Sequence, residues 1–396
     1  MQTSFKEIPI EALCTRVTSG STPLRSRSDY YENGTIDWFK TGELNDWFIE
    51  SSTEKITQLA LQETSVKVFP AGTVLIAMYG DGKTITTLSM LRNPATTNQA
   101  CGAMLVDRQQ CDPTYFFYAL KSRRHKLIGL ALGGAQRNLS AKIIKDFCLP
   151  VPPLQMQRRI AGILSTYDEL IENNQRRIRI LEDMAHSLYR EWFVHFRYPG
   201  HEVVPLVDSP LGPIPQGWEV RIVEDVLKRV PSGKKYDQKT ASPIGAVPIL
   251  DQGKSGIIGY HDDEPGVYAT EDNPIIVFAN HTCYQRLILF SFSAIQNVLP
   301  FVPNPILKRD IYWLHWATNG LIVFNDYKGH WPEYIAKELV VPPAEICQRF
   351  GSFVFPITRE IFKLERAIEN LRRTRDLLLP RLLSGQIILS EEAEIG

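Results

Sequence analysis

Two long heptad patterns constrain the fold of this chain more than any other feature. Apolar residues recur at alternating steps of three and four over residues 160–192 and again over 350–382. This spacing predicts a helix packed along one seam, at least ~50 Å long at ~1.5 Å per residue. The first seam is Ile160, Leu164, Tyr167, Ile171, Asn174, Ile178, Leu181, Ala185, Leu188 and Trp192. The second is Phe350, Val354, Ile357, Ile361, Leu364, Ile368, Leu371, Arg375, Leu378 and Leu382.

Only Asn174 and Arg375 interrupt these seams with polar side chains. A single polar seam residue commonly fixes the register of paired helices, and we expect that role here; a contact with a partner protein is the alternative. Pro356 and Pro380 lie inside the second pattern and predict a kink, because proline lacks the N–H that a helix needs. The second helix is therefore expected to be the less regular one.

The chain also repeats itself. The Val-Pro-Pro sequence at 151–153 recurs at 341–343, an offset of 190 residues, and opens both helical patterns. Upstream, the Arg-Val-Thr-Ser-Gly sequence at 16–20 parallels Arg-Val-Pro-Ser-Gly at 229–233, an offset of 213 residues. Such self-similarity predicts a repeated architecture of globule, helix, globule, helix, in which the second globule is 23 residues shorter.

Short β-branched or aromatic runs bounded by turn residues predict strands inside the globules, at residues 73–77, 84–87, 274–279 and 286–292. A helix is predicted over 115–132, capped by Asp112 with Pro113 in its first turn. The fold class is therefore mixed α/β (α+β). We predict two strand-rich domains at 1–153 and 218–343, long helices at 154–198 and 344–387, a proline-rich linker at 199–217 and a tail at 388–396.

Composition excludes several classes of protein. Lys plus Arg and Asp plus Glu both total 44, so a zero net charge argues against coating nucleic acid by bulk charge. The six cysteines form no CxxC pair, which predicts free thiols in a reducing cytoplasm. The apolar runs are far shorter than the ~20 residues that cross a bilayer, and residues 1–13 lack the apolar core of a signal peptide.

No catalytic motif is complete. The Gly-Lys-Thr sequence ending at Thr84 follows a predicted strand, but a phosphate loop must lead into a helix, and a hairpin turn explains Lys83 better. Asp112-Pro113 resembles part of an amino-methyltransferase motif, for which helix capping already accounts. His281 and Cys283 have no second ligand pair at zinc spacing. We expect no metal, cofactor or catalytic residue on this chain.

Basic residues cluster in two stretches. Residues 108–145 carry eight basic side chains against one acidic, and 221–239 carry six against three. Such patches make phosphate contacts, although a solvated helix face would look the same in sequence. Arg, Asn and Gln also suit base edges. The candidate DNA-binding residues are Arg123, Arg124, Lys126, Gln136, Arg137, Asn138, Lys234, Lys235, His281, Arg286, Lys328 and His330.

The arrangement resembles the specificity subunit of a type I restriction–modification system over residues 5–387. The segment 149–155 is similar to the entry of that family's central conserved helix, and residues 182–184 and 188–193 resemble its end. The segment 371–385 is similar to the distal conserved helix. Residues 96–101 and 295–297 resemble strand-edge motifs of the family's target recognition domains.

This resemblance implies a non-catalytic DNA-specificity subunit. Each of two target recognition domains would read one half of a bipartite, asymmetric site. The two helices would pair as an antiparallel coiled coil with pseudo-twofold symmetry and set the spacing. Methyltransferase (M) subunits, which bind S-adenosylmethionine, and ATP- and Mg-dependent restriction (R) subunits would be the partners on double-stranded DNA.

Two other interpretations stay open at this stage. The chain could be a coiled-coil adaptor whose globules bind protein, or a nucleotide-dependent enzyme built on Lys83. The zero net charge adds the expectation that the isolated chain binds DNA weakly, with partner subunits closing around the duplex.

Overall fold

The computed structural model describes residues 5–80, 84–131, 137–253, 256–324, 328–387 and 389, with only the backbone at residue 137. Contacts divide the chain into two units, one of Met1–Glu172 with Glu369–Gly396 and one of Asn173–Ile368. The boundaries fall inside the two long helices, so each unit is described with its own helix segments.

The first unit is built on a sheet of strand order β2-β10-β6-β8-β4. Its strands are β1 (Lys6–Pro9), β2 (Cys14–Ser19), β3 (Ile36–Phe39), β4 (Trp47–Ile49), β5 (Lys55–Ile56), β6 (Val74–Ala77), β7 (Tyr79–Gly80), β8 (Leu88–Leu91), β9 (Thr96–Thr97), β10 (Cys101–Val106), β11 (Arg137–Asn138) and β12 (Cys148–Val151). Its short helices are α1 (Ile10–Leu13), α2 (Gln58–Glu63), α3 (Pro113–Ser122), α4 (Arg124–Leu130) and α5 (Ala141–Asp146). Strand β1 pairs antiparallel with β12, Lys6 opposite Val151, so the globule begins and ends at one place.

Two local predictions in this unit need correction. The helix predicted over 115–132 is broken at Arg123, which lies outside helical geometry at φ −102° and ψ 7°. Asp112 does cap α3, because its Oδ1 accepts from the N–H groups of Thr114 and Tyr115 at 3.0 and 2.9 Å. The strand predicted over 84–87 is wrong: Thr84–Thr86 forms a turn with Thr86 at φ 64°, and β8 begins at Leu88.

The first long helix, α6, covers Leu154–Tyr189 and ends in a π-helical turn at Arg190–Val194. It stops before residue 198, where the sequence pattern placed its end. The wider turn accompanies the burial of Trp192 and Phe193, both 6% exposed, in the core of the second unit.

The second unit repeats the architecture with a sheet of order β16-β23-β20-β21. Its strands are β13 (Leu206–Val207), β14 (Ile214–Pro215), β15 (Glu219–Ile222), β16 (Leu227–Arg229), β17 (Lys235–Tyr236), β18 (Val247–Leu250), β19 (Ile257–His261), β20 (Ile275–Ala279), β21 (Gln285–Ile288), β22 (Ser293–Ile295), β23 (Val298–Pro303) and β24 (Glu338–Val341). Its short helices are α7 (Val223–Val226), α8 (Ile311–Thr318) and α9 (Trp331–Ile335). Strand β15 pairs with β24, Glu219 opposite Val341, as β1 pairs with β12. The linker forms the small β13-β14 hairpin.

The second long helix, α10, covers Ala344–Leu383 and continues through Pro356 and Pro380. The expectation that this helix is the less regular of the two was wrong, because the irregular turn lies at the end of α6. None of the seam positions is exposed: each is buried or half-buried. Ile160 and Leu164 share the first unit's core with Leu382, and Phe350 and Val354 share the second unit's core with Trp192.

Together these elements confirm the mixed α+β class. All six cysteines are free, as predicted. Within the ranges that the structure describes, no helix is long and apolar enough to cross a membrane.

Candidate nucleic-acid interface

In the first unit, residues 137 and 138 of the predicted contact segment lie beside the end of the central strand β6. The two-residue strand β11 pairs with β7, placing Asn138 opposite Tyr79, and the Leu139 N–H donates to the Met78 carbonyl at 2.8 Å. Asn138 is exposed, as is Tyr79 at 40%. Gln136 and the side chain of Arg137 lie outside the described residues. The segment is thus held on a short ladder at the edge of the unit.

In the second unit, three segments far apart in sequence form one hydrogen-bonded loop cluster. The His281 N–H donates to the Gln252 side-chain oxygen at 2.9 Å, and its ring Nδ1 lies 2.9 Å from the Lys328 carbonyl oxygen. The Asn280 side-chain oxygen accepts from the N–H of Trp331 at 2.8 Å. We call Gln252, Asn280, His281 and Lys328 the loop cluster. It positions two predicted contact residues, His281 and Lys328, together.

The two units hold these segments with the same backbone hydrogen bonds. Met78 donates to the carbonyl of Ala100 and accepts from Leu139, at 2.9 and 2.8 Å. Asn280 donates to Asn297 and accepts from His330 in the same way, at 2.9 and 3.0 Å. Met78 directly follows the central strand β6 and Asn280 directly follows β20, and each held segment precedes a short helix, α5 or α9. The repeat therefore presents a different sequence from an equivalent backbone position in each unit.

Two predicted contact residues support the loops from inside. The His330 side chain is fully buried and its ring lies 6.3 Å from that of Phe324, so it does not offer a surface for a base. Arg286 is half-buried on β21, where its Nη2 donates to the Asp251 carbonyl at 3.0 Å. Burial lowers the pKa of this guanidinium. Both residues support the loop cluster; the burial of His330 argues against a surface contact there, whereas a DNA contact by the half-buried Arg286 stays a prediction.

Three cations of the first unit's basic stretch form ion pairs with acids from distant segments. Arg123 pairs with Glu7 at 2.6 Å, and Lys145 pairs with Glu11 at 2.8 Å. Arg124 pairs with Asp46 at 2.5 Å and also binds the hydroxyls of Thr86 and Thr87 at 2.9 and 3.0 Å. These arginines brace the fold, and only 23% of either side chain is exposed.

Lys126 differs from these arginines because its side chain is exposed on α4. Among the described residues, no carboxylate lies within ion-pair distance of its ammonium. It therefore remains the better candidate for a phosphate contact in this stretch.

The two lysines at 234–235 also have different surroundings. Lys234 pairs with Asp263 at 2.8 Å and lies over the Tyr236 ring. Lys235 instead donates to the hydroxyl of Ser232. Charge counting along the chain could not separate them, because Asp263 lies 28 residues away from the pair's second lysine.

One buried ion pair joins a residue that the sequence pattern had indicated to one that it had not. Arg375, the polar residue of the second seam, pairs with Asp168, whose side chain is fully buried in the first unit. The Tyr118 hydroxyl donates to the same carboxylate. Burial raises the pKa of the Asp168 carboxyl, and the hydrogen bonds from Tyr118 and Arg375 counteract that shift. Asp168 lies between the seam positions, so periodicity alone does not identify it. Asn174, the other polar seam residue, is half-buried.

The described residues contain no cluster of His, Cys, Asp or Glu able to hold a metal ion. Lys83, the centre of the phosphate-loop alternative, lies outside them. The segment that follows is a turn and then strand β8, not the helix whose N-terminal amides a phosphate loop requires. Asp112 is used as a helix cap.

Comparison with known sequences shows what this chain is similar to. The family profile described as "Type I restriction modification DNA specificity domain" matches residues 4–183. The chain is 26% identical to the type I restriction enzyme MjaIX specificity subunit of Methanocaldococcus jannaschii, covering 95% of this chain and 92% of that protein. It is 27% identical to the EcoR124I/EcoR124II specificity subunit of Escherichia coli over 46% of each chain.

The fold has a solved counterpart as well. The crystal structure of a type I restriction–modification system S subunit from M. genitalium matches with a TM-score of 0.63, covering 96% of this chain and 97% of that one at 15% identity. A shared fold over nearly the whole of both chains agrees with the full-length sequence match to the M. jannaschii protein. Residues 4–183 thus match a type I restriction modification DNA specificity domain, and the chain is similar over nearly its whole length to a type I restriction enzyme specificity subunit.

Proposed function

We propose that this chain supplies DNA sequence specificity to a type I restriction–modification complex, and that each unit reads one half of a bipartite, asymmetric site. The observation that carries the proposal is the repeated loop scaffold. Equivalent backbone hydrogen bonds hold the segment ending at Leu139 in one unit and the segment ending at His330 in the other. Because the two segments differ in sequence, the half-sites are expected to differ, whereas identical units would read a palindrome.

The long helices are the proposed spacer between the half-sites. Antiparallel pairing is supported within each unit by a contact between helix segments: Arg375 with Asp168 in the first, and Arg177 with Glu360 at 2.8 Å in the second. Within the second unit, Trp192 further along the chain lies against Phe350, with ring centres 6.0 Å apart, so the partner residue number falls as the first rises, as antiparallel helices require. A rigid helix pair suits half-sites on one face of DNA, which lie about 34 Å apart per turn.

The chemistry of the complex is assigned to partner subunits. Methyltransferase subunits would bind S-adenosylmethionine and methylate adenine, and restriction subunits would use ATP and Mg²⁺. This chain contributes recognition and docking and no catalytic step. A cytoplasmic location is part of the proposal, and the six free thiols support it because such thiols persist in a reducing compartment.

The isolated chain is proposed to bind DNA weakly. Support comes from the zero net charge and from the ion pairs that neutralise Arg123 and Arg124. Much of the affinity of DNA-binding proteins comes from phosphate contacts, which such pairing reduces. Tight, sequence-specific binding by the chain without partners would contradict this part of the proposal.

A map of methylated adenine in the host genome, with and without the gene, tests the function. We expect one bipartite motif to lose methylation on deletion, and the motif would give both half-sites and the spacer at once. If the map is unchanged, the chain should be co-expressed with its methyltransferase subunits in a host that lacks the motif. No new methylated motif in that host would overturn the proposal.

A further inference from the structure

The same kind of turn follows the central strand in both units. In the second unit, the Cys283 N–H donates to the carbonyl of Ala279 at 2.9 Å, and Cys283 has a left-handed backbone at φ 57°. In the first unit, the Thr86 N–H donates to the carbonyl of Ala77 at 2.9 Å, and Thr86 has φ 64°. Left-handed residues other than glycine are uncommon, so two at equivalent positions show that the repeat extends to this turn.

These two turns carry the predicted contact loops. In the second unit, the turn between β20 and β21 contains Asn280 and His281 of the loop cluster. In the first unit, β7 lies at the start of the turn and pairs with β11, which ends at Asn138. A shift of either turn would therefore move the side chains that are proposed to face DNA.

In the first unit, Arg124 connects the turn to helix α4, of which it is the first residue. Its Nε donates to the Thr86 hydroxyl at 2.9 Å, and its Nη2 donates to the Thr87 hydroxyl at 3.0 Å and to the Ile85 carbonyl at 3.3 Å. Its Nη1 pairs with Asp46. A guanidinium is planar and has five donors, so it can hold several acceptors in one fixed geometry.

In the second unit, the side-chain amide of Gln285 makes the corresponding connection from strand β21. Its oxygen accepts from the Tyr334 hydroxyl at 2.8 Å and lies 3.1 Å from the Thr318 hydroxyl. Its nitrogen donates to the His315 carbonyl at 2.8 Å and lies 3.2 Å from the His315 Nδ1. Because that carbonyl can only accept, the amide nitrogen must face it, which fixes the orientation of the amide. Gln285 thereby joins β21 to helices α8 and α9.

The amide and its partners are buried. Gln285 is 5% exposed, and Tyr334 and Thr318 are each 1% exposed. Burial lowers the pKa of His315 to about 4, so its ring is neutral at pH 7 and its Nδ1 can accept from the amide. A buried polar network whose groups are all satisfied is rigid, whereas removal of one member leaves the others unsatisfied.

The two connections have different chemistry at equivalent places. Gln285 pairs with Phe278 of β20 as Leu88 pairs with Ile76 of β6, so the first unit has an apolar side chain where the second has its amide. The polar group comes from the helix in the first unit, as Arg124, and from the strand in the second. A connection made twice by different side chains points to a requirement for a fixed turn, not to one residue inherited with the repeat.

We propose that Arg124 in the first unit and Gln285 in the second are positioning residues for DNA recognition, each holding its turn so that the contact loop reads bases at one half-site. This inference rests on the proposed function and names residues that position its contact loops. A loop that is already held in its bound geometry loses less conformational entropy on binding. Hydrogen bonds to base edges also require a fixed position of the side chain that makes them.

The test uses the chain assembled with its methyltransferase subunits and three labelled duplexes. One duplex carries the methylated motif, and each of the other two has one half-site replaced. Fluorescence anisotropy gives the affinities, and the affinity for the motif divided by that for an altered duplex measures discrimination at the altered half-site. For Gln285→Met, we expect discrimination at one half-site to fall roughly tenfold, as for the loss of one base contact, and the other to stay parental. For Arg124→Met, we expect the half-sites to exchange roles.

Two further variants separate positioning from stability. Tyr334→Phe removes one hydroxyl and keeps the ring that stacks on Phe278, with centres 4.4 Å apart. It should lower discrimination at the same half-site as Gln285→Met by a smaller factor, and it carries the test if the Gln285 variant does not assemble. Val354→Ala removes two methyl groups from the core of the same unit and should lower the melting temperature without changing either ratio.

The ratios are measured below the melting temperature of every complex. The charge lost with Arg124 cancels in them, because phosphate contacts act on each duplex alike.

Three outcomes would overturn the inference. If either Met variant keeps both parental ratios, its residue stabilises the fold without positioning the loop. If Val354→Ala lowers a ratio as much as Gln285→Met does, discrimination follows the stability of the unit. If Arg124→Met and Gln285→Met affect the same half-site, the turns do not act within separate units. A parent complex that does not distinguish the motif from the altered duplexes would instead contradict the proposed function itself.

Discussion

The two units share a backbone scaffold and differ in what packs against their long helices. In the first unit Arg375 pairs with the buried Asp168, and the Tyr118 hydroxyl donates to the same carboxylate. At the positions related by the 190-residue repeat, the second unit has Ala185 and Thr358. An aromatic pair lies nearby, His186 stacked on Trp316 with ring centres 5.5 Å apart. The repeat has kept its hydrogen-bonded backbone while charge in one unit is replaced by apolar and aromatic packing in the other.

This difference gives each helix segment a preferred unit. A repeated chain could dock a helix segment against the wrong globule, because the seams have the same spacing. Such an error would leave Asp168 buried without Arg375, and an unpaired buried charge costs several kcal/mol. The buried ion pair therefore contributes more to the choice of pairing than to net stability, for which a hydrophobic pair of similar volume would serve as well.

Among the changes that distinguish the two units, exchange of a whole recognition module is expected to have the largest effect, because it alters the methylated DNA motif. Replacing residues 220–338 with the equivalent segment of a similar specificity subunit should change one half of the methylated motif completely and leave the other half unaltered. Adenine methylation maps of the parent and the hybrid measure this directly. A change in both half-sites would show that the units do not read independently.

Removal of the buried carboxylate is expected to have the largest effect on stability. Asp168→Ala removes the buried acid from Arg375, which keeps only the exposed Asp376 as an ion-pair partner, and should lower the free energy of unfolding by about 3–5 kcal/mol. The repeat-related control, Thr358→Ala, removes a hydroxyl that donates to the Val354 carbonyl at 3.1 Å and should cost about 1 kcal/mol. Urea unfolding of both variants measures the difference. Equal losses would show that the ion pair has no special role in the first unit.

A change of pH should alter the stability of the second unit by less than the loss of Asp168 alters that of the first. Asp310 caps α8 against Gly351 of α10, and burial raises the pKa of its carboxyl to about 6. The folded chain therefore holds this proton more tightly than the unfolded chain does. The associated stability is present below about pH 4 and is lost as the pH rises through 6.

Asp310→Asn keeps an acceptor for the helix N-terminus and removes the titration. Between pH 4 and pH 7 the parent should lose about 2 kcal/mol more stability than this variant. Asp310→Ser, which also caps, should behave like the Asn variant, whereas Asp310→Ala should be less stable at every pH. Denaturant unfolding across this range measures the profiles, and a parallel loss in parent and Asn variant would exclude Asp310 as its source.

The smallest expected effects come from two cations of the first unit, one that stabilises the fold and one that is predicted to contact DNA. Arg124→Met breaks the pairing with Asp46 and should cost about 1–2 kcal/mol of stability. Lys126→Ala should change stability by less than about 0.5 kcal/mol and weaken DNA binding of the complex several-fold at low salt. Thermal melting and anisotropy distinguish the two. Unchanged DNA binding in the Lys126 variant would remove that lysine from the interface.

The regular part of this fold could be predicted from sequence, because its signals are periodic or repeated. Both seams, the order of globules and helices, and the caps at Asp112 and Asp310 follow from spacing or local residue chemistry, although only the first cap was predicted. The turn at Thr84–Thr86 could not be predicted in this way, since Arg124, nearly 40 residues away, fixes it through side-chain hydrogen bonds.

The interface could be predicted only in outline for the same reason. Counting charges along the chain finds the basic stretch, but the acids that neutralise Arg123 and Lys145 are Glu7 and Glu11, more than 100 residues earlier. Likewise nothing local distinguishes Lys328, which is exposed, from His330, which is fully buried. Tertiary pairing decides which member of a polar cluster reaches the surface.

The pairing of β1 with β12, and of β15 with β24, bears on how such a protein changes over generations. The chain enters and leaves each globule through two paired strands. The distance between the two ends of a globule therefore does not depend on the residues between those strands. A gene segment for one globule can then be exchanged for one of different length without straining the helices that flank it. The 23-residue difference between the two repeats is an example of that tolerance within a single gene. A single recombination event could thus give a host a new recognition sequence while the rest of the protein stays unaltered.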